Sequence, residues 1–119
     1  MSVPAQVGNL AMFIGEDKIF QDVIYQNDGV TPEDISNWEI NFTVQKYGNP
    51  ATVFIFKSVG NGIQITDPNG GVASIFIDHI DTIGMLPDQY EYVIERVNPG
   101  GDAVPTLGLF TLRAKTTAE

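Results

Sequence analysis

His79 is the only histidine in the chain and cysteine is absent, so few residues are equipped for nucleophilic or metal chemistry. The ring lies in Ile77-Asp78-His79-Ile80-Asp81, and a hydrolase would need a nucleophile and an orienting carboxylate converging on it. No Gly-x-Ser-x-Gly elbow occurs, and Ser74 falls inside an apparent strand. A zinc ion would have to be held mostly by carboxylates, an unusual donor set for that metal. Glu33 with Asp34, and Asp78 with Asp81, have the residue types of a glycosidase pair. Both pairs lie in or beside turn sequences, where acidic side chains cap and solvate the backbone. Asp67-Pro68-Asn69-Gly70-Gly71 sets oxygen ligands beside glycines but lacks the spaced acids and terminal glutamate of an EF-hand loop, so it reads as a turn. The glycine-rich segments lack the Lys-Ser/Thr ending of a phosphate loop. Asn41-Phe42-Thr43 fits the glycosylation pattern, yet it falls in a strand, and 1–14 has neither the basic start nor the apolar centre of a signal peptide. The expectation is a protein that is not an enzyme, with no catalytic residue, no cofactor and no metal.

Charge narrows the partners. With 15 acidic and 6 basic residues the formal charge is −9, which repels a phosphate backbone, and no local Lys/Arg cluster offsets it. Nucleic acid and anionic membranes are therefore excluded as expected partners. No apolar run approaches the ~18 residues of a membrane span. The absence of cysteine suits folding in a reducing cytoplasm and leaves stability to packing or oligomerisation. At 119 residues and 13.0 kDa the chain fits one domain. Scaling of area with mass has such a domain bury about two thirds of its unfolded surface, enough for a self-sufficient core.

The elements that must position any site are strands. Turn chemistry recurs at Asn27-Asp28-Gly29, Tyr47-Gly48-Asn49-Pro50, Gly60-Asn61-Gly62, 67–71 and Asn98-Pro99-Gly100-Gly101-Asp102, with short runs rich in Val, Ile, Phe, Tyr and Thr between. Trp38, Ile40, Phe42 and Val44 alternate with Glu39, Asn41, Thr43 and Gln45, which makes one face of that strand core and the other wet. The pattern predicts about seven strands, at 18–26, 38–45, 52–57, 62–66, 72–78, 90–97 and 106–113. One helical turn is expected within 80–87 and a tight Asn61-Gly62 hairpin between the third and fourth strands. The fold class is all-β, an antiparallel sandwich, and the absence of helix–strand alternation argues against a parallel α/β fold.

Some apolar residues exceed what a two-layer sandwich hides. Val53-Phe54-Ile55-Phe56 and Ile75-Phe76-Ile77 are apolar on both faces, and Val93-Ile94 breaks the next alternation. Either these strands sit in a tightly curled region, or their outer faces meet another subunit. Leu10-Ala11-Met12-Phe13-Ile14 precedes the first predicted strand and reads as an added edge strand, an arm laid on a neighbour, or an ordinary first strand. The domain division is 1–14, arm or added strand, and 15–119, sandwich. The candidate interface residues are Leu10, Met12, Phe13, Phe54, Phe56 and Phe76.

Three stretches carry a family resemblance. The first is Gly15-Glu16-Asp17 leading into a strand, followed by 27–38 up to Trp38. The second is Asn69-Gly70-Gly71 with Val72-Ala73-Ser74-Ile75-Phe76-Ile77. The third is 81–92, with Leu86-Pro87 and Tyr90-Glu91-Tyr92, closed by Leu107-Gly108-Leu109-Phe110-Thr111-Leu112. Together, from Gly15 to Arg113, they resemble the immunoglobulin-like domains of tailed-bacteriophage virions, found in capsid decoration proteins and in baseplate or tail accessory proteins. Leu86-Pro87 with Tyr90 also resembles the fibronectin type III corner, in which a tyrosine hydroxyl bonds back to the backbone; Tyr90 or Tyr92 would fill that role. The chain departs from antibody domains in having no inter-sheet cysteines. The resemblance implies a virion structural protein made in the host cytoplasm, first a capsid decoration or cement protein, alternatively a tail or baseplate adaptor. Its implied partners are other virion proteins, the major capsid protein or tail components, and further copies of itself in a homo-oligomer. A third reading is a carbohydrate-binding sandwich using Tyr25, Tyr47, Tyr90 and Tyr92.

Overall fold

The computed structural model describes residues 2–4 and 8–114; the remainder of the predicted 1–14 and 15–119 segments, residues 1, 5–7 and 115–119, lies outside the described residues. The described chain forms nine strands and one helical turn. They are β1 (Ser2–Pro4), β2 (Leu10–Phe13), β3 (Lys18–Gln26), β4 (Glu39–Lys46), β5 (Asn49–Val59), β6 (Gly62–Asp67), β7 (Val72–Ile77), α1 (His79–Thr82), β8 (Asp88–Val97) and β9 (Ala103–Arg113). Hydrogen-bonded neighbours follow the order β1-β3-β7-β6-β5-β4-β8-β9-β2.

This order folds back on itself as two layers. β5 and β6 share only Ser58↔Gly62 and Val59↔Ile63, in parallel register, after which β6 runs beside β7 and β5 beside β4. The bend at Gly60-Asn61 therefore moves the chain from one layer to the other, where a hairpin was expected. Gly62, at φ 94°, permits it, because a side chain there would collide with the stem of Lys57. One layer is β1-β3-β7-β6 and the other β5-β4-β8-β9-β2. Their inner faces meet in one core, with Phe20 of β3 edge-on to Phe110 of β9 at 6.3 Å.

The period of two decides which side chains enter that core. Ile40, Phe42 and Val44 of β4 are buried behind Trp38, as their alternation predicts. On β8 the inward set is Tyr90, Tyr92, Ile94 and Arg96; on β9 it includes Phe110 and Leu112. Val93 thus faces outward beside an inward Ile94, and the strand is regular where a break was read. Leu10–Phe13 is an edge strand, parallel to β9 from Leu10↔Phe110 to Phe13↔Arg113. β1 runs antiparallel beside β3 on the other layer.

Candidate functional site

The chemistry-bearing residues are occupied in holding loops. Asp17 Oδ1 accepts from the His79 backbone N–H at 2.7 Å and lies 3.0 Å from Nδ1 of its exposed ring, an arrangement that fastens the start of α1 to the 14–17 turn. The hydrogen bonds from His79 hold the Asp17 carboxyl below its ordinary range. Ser74 is buried, and its hydroxyl lies 3.3 Å from that of Thr66. Asp81 accepts from the Asp78 backbone N–H at 2.8 Å and pairs with Lys57 Nζ at 2.8 Å. Asp34 caps Ser36 through both its backbone N–H and its hydroxyl, and these bonds depress its pKa. Asp67 accepts from the Gly70 backbone N–H at 3.1 Å, the geometry of a turn. Among the described residues no three His, Asp or Glu side chains converge as a metal site.

Of the four tyrosines, Tyr90 and Tyr92 take structural roles, while Tyr25 is half-buried and Tyr47 exposed. Tyr90 donates its hydroxyl to the Leu86 carbonyl at 2.6 Å, closing the turn that leads into β8. Tyr92 instead donates to the Gly8 carbonyl at 2.9 Å and so anchors the chain just ahead of β2. Gly108, opposite Tyr92 in register, leaves space for this; a Cβ there would stand 2.5 Å from the Tyr92 ring. Both rings are core residues, so they offer no exposed platform to a sugar.

One pair escaped sequence reasoning. Asp22 of β3 and Arg96 of β8 face each other across the core in a two-pronged ion pair, at 2.6 Å through Nε and 2.5 Å through a terminal nitrogen. Both are essentially without solvent contact, 1% and 0% exposed. Arg96 also donates to the Val104 carbonyl at 3.0 Å and to the Thr106 hydroxyl at 2.8 Å, so each of its three guanidinium nitrogens is hydrogen bonded. The available signal was parity: Asp22 shares a face with Ile24, and Arg96 with Tyr92 and Ile94.

The predicted interface residues divide. Met12, 3% exposed, belongs to the core, because its position opposite Leu112 turns it inward; that is a correction to its place in the set. Leu10 packs partly against the same core. Phe54 is the extra residue of a bulge between Val44↔Ile55 and Gln45↔Val53, and its ring meets Tyr90 edge-on at 5.0 Å. It remains partly exposed as a lid on that corner. Phe76 is half-buried and lines an open groove with Val59, Ile63 and Ile65. Phe13 and Phe56 are exposed.

Register shows what sequence order hid. Directly opposite residues share a face, so Phe56, Thr43, Val93 and Leu107 form one row across β5, β4, β8 and β9 on the outside of that layer. The next rows are Val53-Gln45-Glu91-Leu109 on one side and Ser58-Asn41-Glu95-Pro105 on the other. Phe56, Val53 and Leu107 are 53%, 51% and 61% exposed, an apolar centre that the monomer leaves wet. Gln45, itself buried, donates to Glu91 at 2.9 Å and fixes that carboxylate beside the row.

Solved structures share this architecture. The GspB Siglec domain matches 98% of this chain over 59% of its own, at 14% identity and a TM-score of 0.54. The Ig1-2 module of the Drosophila receptor protein tyrosine phosphatase DLAR matches 99% over 52% of its own chain, at 16% identity and a TM-score of 0.51. Murine CRIg matches 98% over 99%, at 11% identity and a TM-score of 0.50. The chain thus spans little more than half the length of the first two. No protein-family model and no curated protein matches. At these identities the likeness establishes the fold: the chain is an immunoglobulin-like β-sandwich.

Proposed function

We propose that this chain is a non-enzymatic binding module that serves as a structural part of a tailed-phage virion, a decoration or cement protein on the assembled capsid. The observation that carries the binding role is the exposed apolar centre of Phe56, Val53 and Leu107 on one outer face, surface that a two-layer sandwich has no fold-internal reason to keep. The catalytic candidates, by contrast, are tied into turns and caps. The virion assignment rests on the sequence resemblance from Gly15 to Arg113. A protein that binds the assembled shell and not its free subunits stabilises the shell by mass action, about 2.7 kcal/mol per site at a concentration a hundredfold above Kd. Association of copies on the shell belongs to the same proposal.

The test is location with stoichiometry. Quantitative mass spectrometry of purified particles should find the chain at a copy number on the order of that of the capsid subunits, following shell symmetry. A few copies per particle would move it to the tail or baseplate, and absence from particles would end the virion reading. Purified protein should show no glycoside or ester hydrolysis.

A further inference from the structure

The outer face of the β5-β4-β8-β9 layer combines an apolar centre with one sign of charge, and that combination specifies the surface it can meet. Glu91 lies one row from the Phe56-Thr43-Val93-Leu107 line on one side and Glu95 one row away on the other. Glu39 stands one row beyond Glu95, opposite Val97 and then Ala103. None of these four rows contains a Lys or Arg. Of the nearby cations, Arg96 is buried against Asp22, Lys57 pairs with Asp81, and Arg113 sits at the far corner beside Phe13; the exposed Lys46, at the end of β4 beside Leu109, is one positive charge against Glu39, Glu91 and Glu95. The amide of Gln45 positions Glu91 without cancelling its charge.

A second copy does not complement this face. Two-fold pairing would bring Glu39, Glu91 and Glu95 against the same carboxylates of the other copy, on chains that each carry −9. An anionic lipid surface or a nucleic acid meets the same repulsion. We infer that this face docks a different protein, whose matching surface has an apolar centre flanked by Lys or Arg side chains. The proposal rests on the binding-module reading and adds to it the partner's chemistry. It also turns part of the acidic surface toward the partner and not toward solvent.

The experiment uses the full chain in the cells that make it, with a benzophenone photo-crosslinking residue replacing Leu107 or Phe56 and, as control, Gln21 on the other layer. Cross-linked peptides are identified by mass spectrometry. The expected result is one protein other than this chain, captured from positions 107 and 56 but not 21, through a segment that carries Lys or Arg. Glu39→Lys with Glu95→Lys leaves the Gln45–Glu91 bond and the melting temperature intact. It should weaken binding of the captured protein about tenfold at low salt, and less at high salt where screening already weakens the attraction. Changing the captured Lys or Arg residues to Glu should restore binding to that variant. Cross-links to a second copy, to an acidic or uncharged segment, or to nothing overturn the inference, as does unchanged binding by the charge-reversed chain. A basic partner that is not a virion protein leaves the docking face standing and overturns the virion assignment. A capsid partner captured through a segment without basic residues does the reverse.

Discussion

Asp22 and Arg96 join the same two strands, β3 and β8, that an antibody domain joins by its inter-sheet disulfide. Here the tie is electrostatic, and its value depends on both members. Asp22→Ala or Arg96→Ala would strand a charge in the core and is expected to cost about 3–5 kcal/mol in urea unfolding. Asp22→Leu combined with Arg96→Met removes both charges and should cost far less than the sum of the single changes. The two core tyrosines set an alkaline limit. Burial raises both phenols above their ordinary value; for Tyr90 the Asp88 charge adds to this and the bond to Leu86 opposes it, while for Tyr92 Arg96 opposes the shift and Asp22 adds to it. Below about pH 10, where the unfolded phenols hold their protons, their contribution is fully present. As pH rises from there through the raised folded values, the unfolded chain binds fewer protons than the folded one and stability falls. Tyr90→Phe with Tyr92→Phe should therefore lower stability at pH 7 by about 1 kcal/mol per lost hydrogen bond, and flatten the decline above pH 10.

At the scale of elements, the edge strand β2 depends on contacts made far away in sequence. It runs parallel to β9, and the chain just before it is held by the Tyr92 hydroxyl, which reaches Gly8 because residue 108 has no side chain. Gly108→Ala is expected to push the Tyr92 ring aside, cost about 1–3 kcal/mol, and speed amide exchange at Leu10–Phe13 ahead of global unfolding. Equal protection of those amides in the variant would show that β2 is held by its ladder alone. The strands themselves were largely legible. Lys18–Gln26 matches its prediction end to end, and the strand begun at Trp38 differs by a residue at each end, because alternation and flanking glycines are local signals. Ser2–Pro4 gives no such signal, being three residues long with a proline. The Gly60-Asn61 bend misled for a related reason: a turn sequence says that the chain reverses, not which layer it rejoins.

The whole molecule carries a formal charge of −9, two of its cations, Lys57 and Arg96, are held in ion pairs, and the exposed Phe56 and Leu107 share a row that crosses four strands. Phe56→Glu and Leu107→Glu each replace an outward side chain, so they should leave the β-rich circular dichroism spectrum unchanged and melting within about 0.5 kcal/mol of the parent. On the proposed virion role, the same changes should abolish binding to particles depleted of this protein, measured by co-sedimentation. Ile55→Glu on the same strand, pointing inward, is expected to unfold the domain. That contrast separates the outer face from the core within one segment that reads as uniformly greasy.

Strand positions, the sandwich class and the poverty of catalytic groups follow from the residues in order, because a two-residue period and turn-forming glycines act over a few bonds. Which strands neighbour one another follows only from the folded chain, and with it three further facts: that Met12 goes inside, that Asp22 finds Arg96 across 74 positions, and that Phe56 and Leu107 share a row. Register and layer pairing are set by long-range burial of the inner faces, which no local pattern encodes.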